Sequence, residues 1–157
     1  MNIFYLDSDP VTAAQMSCDK HVVKMILESA QMLSTAHREL DEDVSDDFYK
    51  STHKNHPSTI WARSNASNYS WLYEHFIALC DEYTHRYGKT HLSDKKFRDS
   101  LGWLPANIES GDLTAPPQCM PDEYKCDDTV TAYRNYYKGD KARFAEWNKS
   151  RPAPEWW

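Results

Sequence analysis

The sequence predicts an all-α fold: a single compact helical domain over residues 1–157, with two long helices, a shorter C-terminal helical region and long loops. Three observations lead there. Neither Gly nor Pro, the residues that break helix interiors, occurs from Val11 to Leu40 or from Thr59 to Tyr87. Apolar side chains in both stretches recur at helical spacing. No segment beyond Asn2–Leu6 alternates as a half-buried strand does. At 157 residues, 40% hydrophobic and 27% charged, the chain has a globular composition and enough length to bury a core without disulfides or metal.

Each element has a local reason. Ser8-Asp9-Pro10 offers a cap and a first-turn Pro, so the first long helix runs from Val11 to about Leu40. Glu39 to Asp47 holds six acids and no base, and reads as a solvated acidic loop over about 39–50. Asn55-His56-Pro57-Ser58 starts the second helical stretch, and Gly88 caps its end. Trp61, Trp71, Leu72, Phe76, Leu79, Cys80 and Tyr83 form its apolar stripe. The run Ser64-Asn65-Ala66-Ser67-Asn68 is where short polar side chains, competing for backbone hydrogen bonds, would divide it. Ser93 to Leu101 is a short helix, followed by a Pro-rich loop over about 102–121. Asp127-Asp128-Thr129 caps a last helical region, Val130 to about Trp147, with a break at Gly139-Asp140. The tail Arg151-Pro-Ala-Pro-Glu-Trp-Trp157 is extended, because each Pro biases its predecessor away from helix.

Net charge is −6, which on its face disfavours nucleic acid as a partner. Without the acidic loop, however, 18 acids face 18 Lys and Arg, so a local basic surface remains available. The four Cys are too few and too scattered for a disulfide framework, which points to reduced thiols and a cytoplasmic setting (the host cytoplasm if the source is viral). No apolar run suits a membrane span, and no basic-then-apolar leader opens the chain.

On a helical wheel of residues 17–36, Ser17, Lys20, His21, Lys24, Glu28, Gln31 and Thr35 share about a third of the circle and the remainder is mostly apolar. Such a helix is buried on several sides, and its polar stripe faces water or a cleft. The solvated reading leaves Lys24 and Glu28 as an i, i+4 pair worth a few tenths of a kcal/mol. In a cleft, Glu28 flanked by His21 and Lys24 could instead stabilise a developing cation. Cys18-x-x-His21 has metal-like spacing without a matching second half, so neither metal nor cofactor is expected. Thr52-His-Lys-Asn-His56, ending at a helix start, suits either phosphate or simple capping. Tyr133-Arg-Asn-Tyr-Tyr-Lys138 interleaves aromatics and bases, a pattern that serves either core packing or base stacking with phosphate contact.

Taken together, these segments resemble the pyrimidine-dimer DNA glycosylase family of the phage endonuclease V type, and its bacterial and phage branch most closely. Cys18-Asp-Lys-His-Val-Val-Lys-Met-Ile-Leu-Glu28 matches its first helix, with Asp19, His21 and Glu28 in register. Asn55-His-Pro-Ser-Thr-Ile-Trp61, Ala78-Leu-Cys-Asp-Glu-Tyr-Thr-His-Arg-Tyr-Gly88 and the Tyr133–Lys138 segment extend the likeness. The resemblance implies damaged or modified duplex DNA as substrate and a coupled glycosylase/AP-lyase reaction. In that reaction an N-terminal α-amine, of a class that deprotonates near neutrality, attacks C1′ while a helix-borne Glu stabilises the cationic intermediate. Carried over, Glu28 is the catalytic carboxylate and the amine belongs to Met1 or Asn2. Asn2 is larger than residues that permit Met removal. His21, Lys24, Asn55, His56, Arg134, Tyr136 and Lys138 are the expected substrate contacts. Two family arginines are Leu27 and Gln31 here. The competing expectations are a non-catalytic nucleic-acid- or protein-binding relative and an enzyme acting on free nucleotides.

Overall fold

The computed structural model describes residues 1–157 and is all-helical. Its elements are α1 (Pro10–Met16), α2 (Asp19–Leu40), α3 (Pro57–Ala62), α4 (Ala66–Tyr87), α5 (Leu92–Phe97) and α6 (Thr129–Tyr136), the last followed by a π-helical turn, Tyr137–Lys141. Asn2–Leu6 is not a strand. It is a buried arm whose regularity ends at Phe4, where φ is +55°.

The helix expected from Val11 to Leu40 is two helices. At Ser17 the backbone turns extended, its hydroxyl donates back to Ala13 O, and α2 restarts with Cys18 as its N-cap. The cause is distant in sequence. Arg86, on α4, donates to the carbonyls of Gln15 and Ser17 at 2.9 and 2.7 Å and so occupies acceptors that a continuous helix would have used. The second stretch divides as expected, with Asn65 capping α4 through Asn68 N. Gly88 closes α4 at φ +67°, a left-handed position at which Gly carries no Cβ penalty.

Helix α2 lies at the centre, packed mainly on α4 and also on α3, while α1 lies on α4. Val22, Ile26, Ala30, Leu33 and Ala36 are fully buried, and the core cluster of 27 residues reaches from Ile3 to Tyr137. Burial on this scale contributes roughly 1.5–3 kcal/mol for each large aliphatic side chain. Val23 and Leu27 depart from the wheel: both are exposed, and Thr35 of the supposed polar stripe is buried against Thr52.

The C-terminal helix is shorter than expected. It ends at Lys141 because the chain must turn back onto the α1–α2 junction. There Trp147 Nε1 donates to Met16 O, Asp19 N to Glu146 O, and Asn148 N to Asp19 Oδ2. Gly139 permits the turn, since a Cβ there would run into the Tyr124 ring. The acidic loop is less loosely solvated than its composition suggests. Arg38 donates to the carbonyls of Phe48 and Tyr49, and Asp41 accepts from Ala106 N and Asn107 N, pinning the Pro-rich loop. No helix is long and apolar enough to cross a membrane.

Candidate active site

Glu28 sits in the middle of α2 with its side chain 18% exposed. The α-amine of Met1 is 3.5 Å from Oε1, and Lys24 Nζ is 3.9 Å from Oε2. The Met1 side chain is only 2% exposed, so burial of the thioether anchors the residue whose amine meets the carboxylate. Asn2 is committed elsewhere. Its Nδ2 donates to Cys119 O, and its Oδ1 accepts from Ile3 N at 2.8 Å and Phe4 N at 3.4 Å.

His56 completes the group. Its Nδ1 accepts from Ser58 N, which caps α3 and puts the ring proton of the neutral form on Nε2. Burial first, and then the terminal amine and His53, lower its pKa, while Glu28 acts in the opposite direction. Asn55, beside it, is exposed. Capping is therefore the visible job of His56, with the amine and Glu28 close enough to shift its titration.

The other expected contacts are placed differently. His21 is 3% exposed and does not reach the surface. Its Nδ1 lies 2.6 Å from Tyr137 Oη and its ring stacks on Phe4 at 4.1 Å. Burial, reinforced by Lys141, Lys24 and Lys20, pushes its pKa down to about 3, so the ring is neutral at physiological pH. Arg134 is spent inside the protein, donating to Leu6 O, pairing with Asp7 at 3.4 Å and lying over Trp156. Tyr136 is half-buried, stacked with Phe4 on one side and covered by Lys141 at 4.6 Å. Lys138 is exposed on the π turn. Of the residues picked from sequence, Met1, Lys24 and Glu28 converge, and His56 is near enough to feel the charges of the amine and Glu28; His21, Arg134 and Tyr136 instead hold the N-terminal arm.

Phe4 explains why the arm points where it does. A non-Gly residue at φ +55° costs on the order of 1–3 kcal/mol and persists only when its surroundings fix it. Here Phe4 is held between His21 and Tyr136, with the edges of Tyr133 and Tyr137 against it.

Sequence reasoning left Lys20 without a role on the polar stripe and missed Lys141 and Arg143. Lys20 and Arg143 lie over the Phe144 ring at 4.5 and 5.4 Å, and Phe144 is edge-on to His21. Lys141 lies 5.9 Å from the same ring, and Lys20, Lys24 and Lys141 all act on His21, so these cations gather around the His21–Phe144 pair of a protein whose net charge is −6. The alternation Lys138-Gly-Asp-Lys-Ala-Arg-Phe144 was the available signal.

The matched sequence decides the class. The pattern of the family described as pyrimidine dimer DNA glycosylase matches residues 1–96, which takes in the N-terminal arm, the Glu28 helix and His56. The chain belongs to the pyrimidine dimer DNA glycosylase family. Membership supports DNA glycosylase activity, with DNA as the substrate and repair as the setting. No curated protein and no solved structure matches the chain. In this pyrimidine dimer DNA glycosylase, Glu28 is reached from solvent only in part, with 18% of its side chain exposed. Three grooves, of about 560, 530 and 360 Å³, are lined by other residues, on the α1–α4 face, between α4 and α5, and at the acidic loop. Of the three residues expected to line a cleft, His21 is buried, while Lys24 is exposed and Glu28 partly so.

Proposed function

We propose that this protein is a DNA N-glycosylase with a coupled AP-lyase step, acting on a damaged base such as a pyrimidine dimer in duplex DNA. Met1 supplies the attacking amine and Glu28 the carboxylate beside it. The observation that carries the reading is the 3.5 Å approach of the Met1 nitrogen to Glu28, a carboxylate that stays partly exposed.

In this reading the neutral amine's lone pair attacks C1′. The glycosidic C–N bond breaks, its electron pair leaves with the base, and the base takes up a proton. The nitrogen, now bonded to C1′, passes a proton to Glu28. Opening of the sugar sends the C1′–O4′ pair to O4′, which is protonated, and leaves an iminium at C1′. Loss of a C2′ proton then expels the 3′-phosphate. Glu28 stabilises each cationic stage, because a carboxylate fixed beside a developing charge needs no reorganisation when that charge appears. His56 is the nearby neutral imidazole through which protons can move.

Membership of a DNA glycosylase family favours duplex DNA over a free nucleotide. Lys20, Lys24, Lys141 and Arg143 supply phosphate contacts that the net charge conceals. Lys24→Ala and Lys141→Ala each weaken duplex binding and lower the slope of log K against log salt by about 1. Fluorescence anisotropy at several salt concentrations measures this, and an unchanged slope in both variants removes these cations from the interface.

The reading itself is tested by base release and strand cleavage on duplex containing a pyrimidine dimer, beside undamaged duplex and free nucleotides. Products from the damaged duplex alone are expected. Turnover of free nucleotides without cleavage of duplex would overturn it, as would binding without product on any substrate.

A further inference from the structure

We propose that Tyr137, which lies beyond the residues matching the family, is a positioning residue for the N-terminal amine, acting through His21 and Phe4. This rests on the reading of Met1 as the attacking group.

The chain of contacts is continuous. The Tyr137 hydroxyl lies 2.6 Å from His21 Nδ1 and accepts from Cys18 N, the cap of α2, at 3.3 Å. The same hydroxyl also lies 3.6 Å from Cys18 Sγ, so it ties the His21 ring to the cap of α2, and the short bond to Nδ1 holds the imidazole in one orientation. The oriented ring is the platform for Phe4, stacked at 4.1 Å and 27°. Phe4 is the left-handed residue of the arm, and its N–H reaches Asn2 Oδ1 at 3.4 Å. A ring rotation at His21 therefore frees the strained turn three residues from the amine. Tyr137 and His21 are both essentially sealed from solvent, so neither touches DNA. Their effect on the reaction passes through the backbone of residues 1–4.

A nucleophile misplaced by about 1 Å loses on the order of 10²-fold in rate. The test uses Tyr137→Phe, which keeps the ring and removes the hydroxyl. Borohydride trapping on abasic duplex is followed under single-turnover conditions at saturating protein, with DNA affinity measured in parallel. The rate constant is expected to fall about tenfold to a hundredfold, while the trapped amplitude and the Kd stay within twofold of wild type. A purely structural role would lower the amplitude, through loss of folded protein, and leave the rate constant of the remainder alone. Phe4→Leu, which keeps apolar bulk but loses the flat stacking face, is expected to give the same pattern and carries the test if Tyr137→Phe fails to fold. Wild-type rate constants in both variants would overturn the positioning role and leave the Met1 reading intact. No adduct with wild type would overturn the Met1 reading and this role with it.

Discussion

Glu28→Gln lowers the single-turnover rate of base release by about 10²–10³-fold, the usual loss when one fixed electrostatic group is removed from the reacting centre. The substitution is close to isosteric and keeps a side chain that can still accept hydrogen bonds, so the unfolding midpoint stays near wild type. DNA affinity holds or rises, because a negative charge has left the phosphate-facing side. This combination distinguishes loss of chemistry from loss of fold. It is measured by quench kinetics on damaged duplex, anisotropy and urea unfolding of the same preparation. A variant that keeps more than a tenth of the wild-type rate would place the essential carboxylate elsewhere.

The second large effect is on stability. The Arg86 side chain is fully buried and makes four hydrogen bonds: to Asp19 at 3.0 Å, to Glu82 at 2.9 Å, and to the carbonyls of Gln15 and Ser17 at the end of α1. Glu82 also receives Arg151 at 2.7 Å, which latches the C-terminal tail to α4. Arg86→Ala leaves two enclosed carboxylates short of a partner and is expected to cost about 3–5 kcal/mol. The acid dependence changes with it. Burial alone would raise the Glu82 pKa, but hydrogen bonds from Arg151 and Arg86 outweigh burial and hold it below its ordinary value of 4.5. A carboxylate with a depressed folded pKa contributes stability above its unfolded pKa and loses that contribution as pH falls below it. Wild type therefore weakens on acidification through this range. In Arg86→Ala part of the depression is gone, so the stability gap between the two proteins narrows as pH drops. Urea unfolding monitored by Trp fluorescence at neutral pH and near pH 4 measures both effects; a gap that widens in acid would contradict this account of the network.

Much of the fold was legible because the relevant signals were local. Absence of Gly and Pro, periodic apolar residues and the cap at Gly88 are short-range features, and α2 and α4 follow them. The break at Ser17-Cys18 has no such signal: it is imposed by Arg86, from a helix placed there by packing. The early end of the C-terminal helix likewise depends on Trp147 and Asn148 reaching Met16 and Asp19.

The site divides in the same way. Lys24 and Glu28 lie one turn apart, so helical spacing alone pairs them. Burial of His21 depends on Phe4, Tyr137 and Phe144, which come from the two ends of the chain, and no wheel drawn on α2 contains them. The second partner of Glu28, the Met1 amine, was legible only through the family resemblance, since the arm that carries it turns left-handed at a Phe, where sequence preference argues against one. Arg134 looked like a substrate contact for want of knowing that Leu6 and Asp7 would lie beneath it.

The claim that matters most is that the Met1 nitrogen forms a covalent bond to the sugar. Borohydride reduction of a reaction with abasic duplex, followed by proteolysis and mass spectrometry of the adduct, tests it directly. The expected result is a sugar remnant on the α-nitrogen of a peptide beginning at Met1, lost when that nitrogen is acetylated beforehand. A remnant on Lys24 or on the α-nitrogen of Asn2, or full base release with the α-nitrogen blocked, would contradict it.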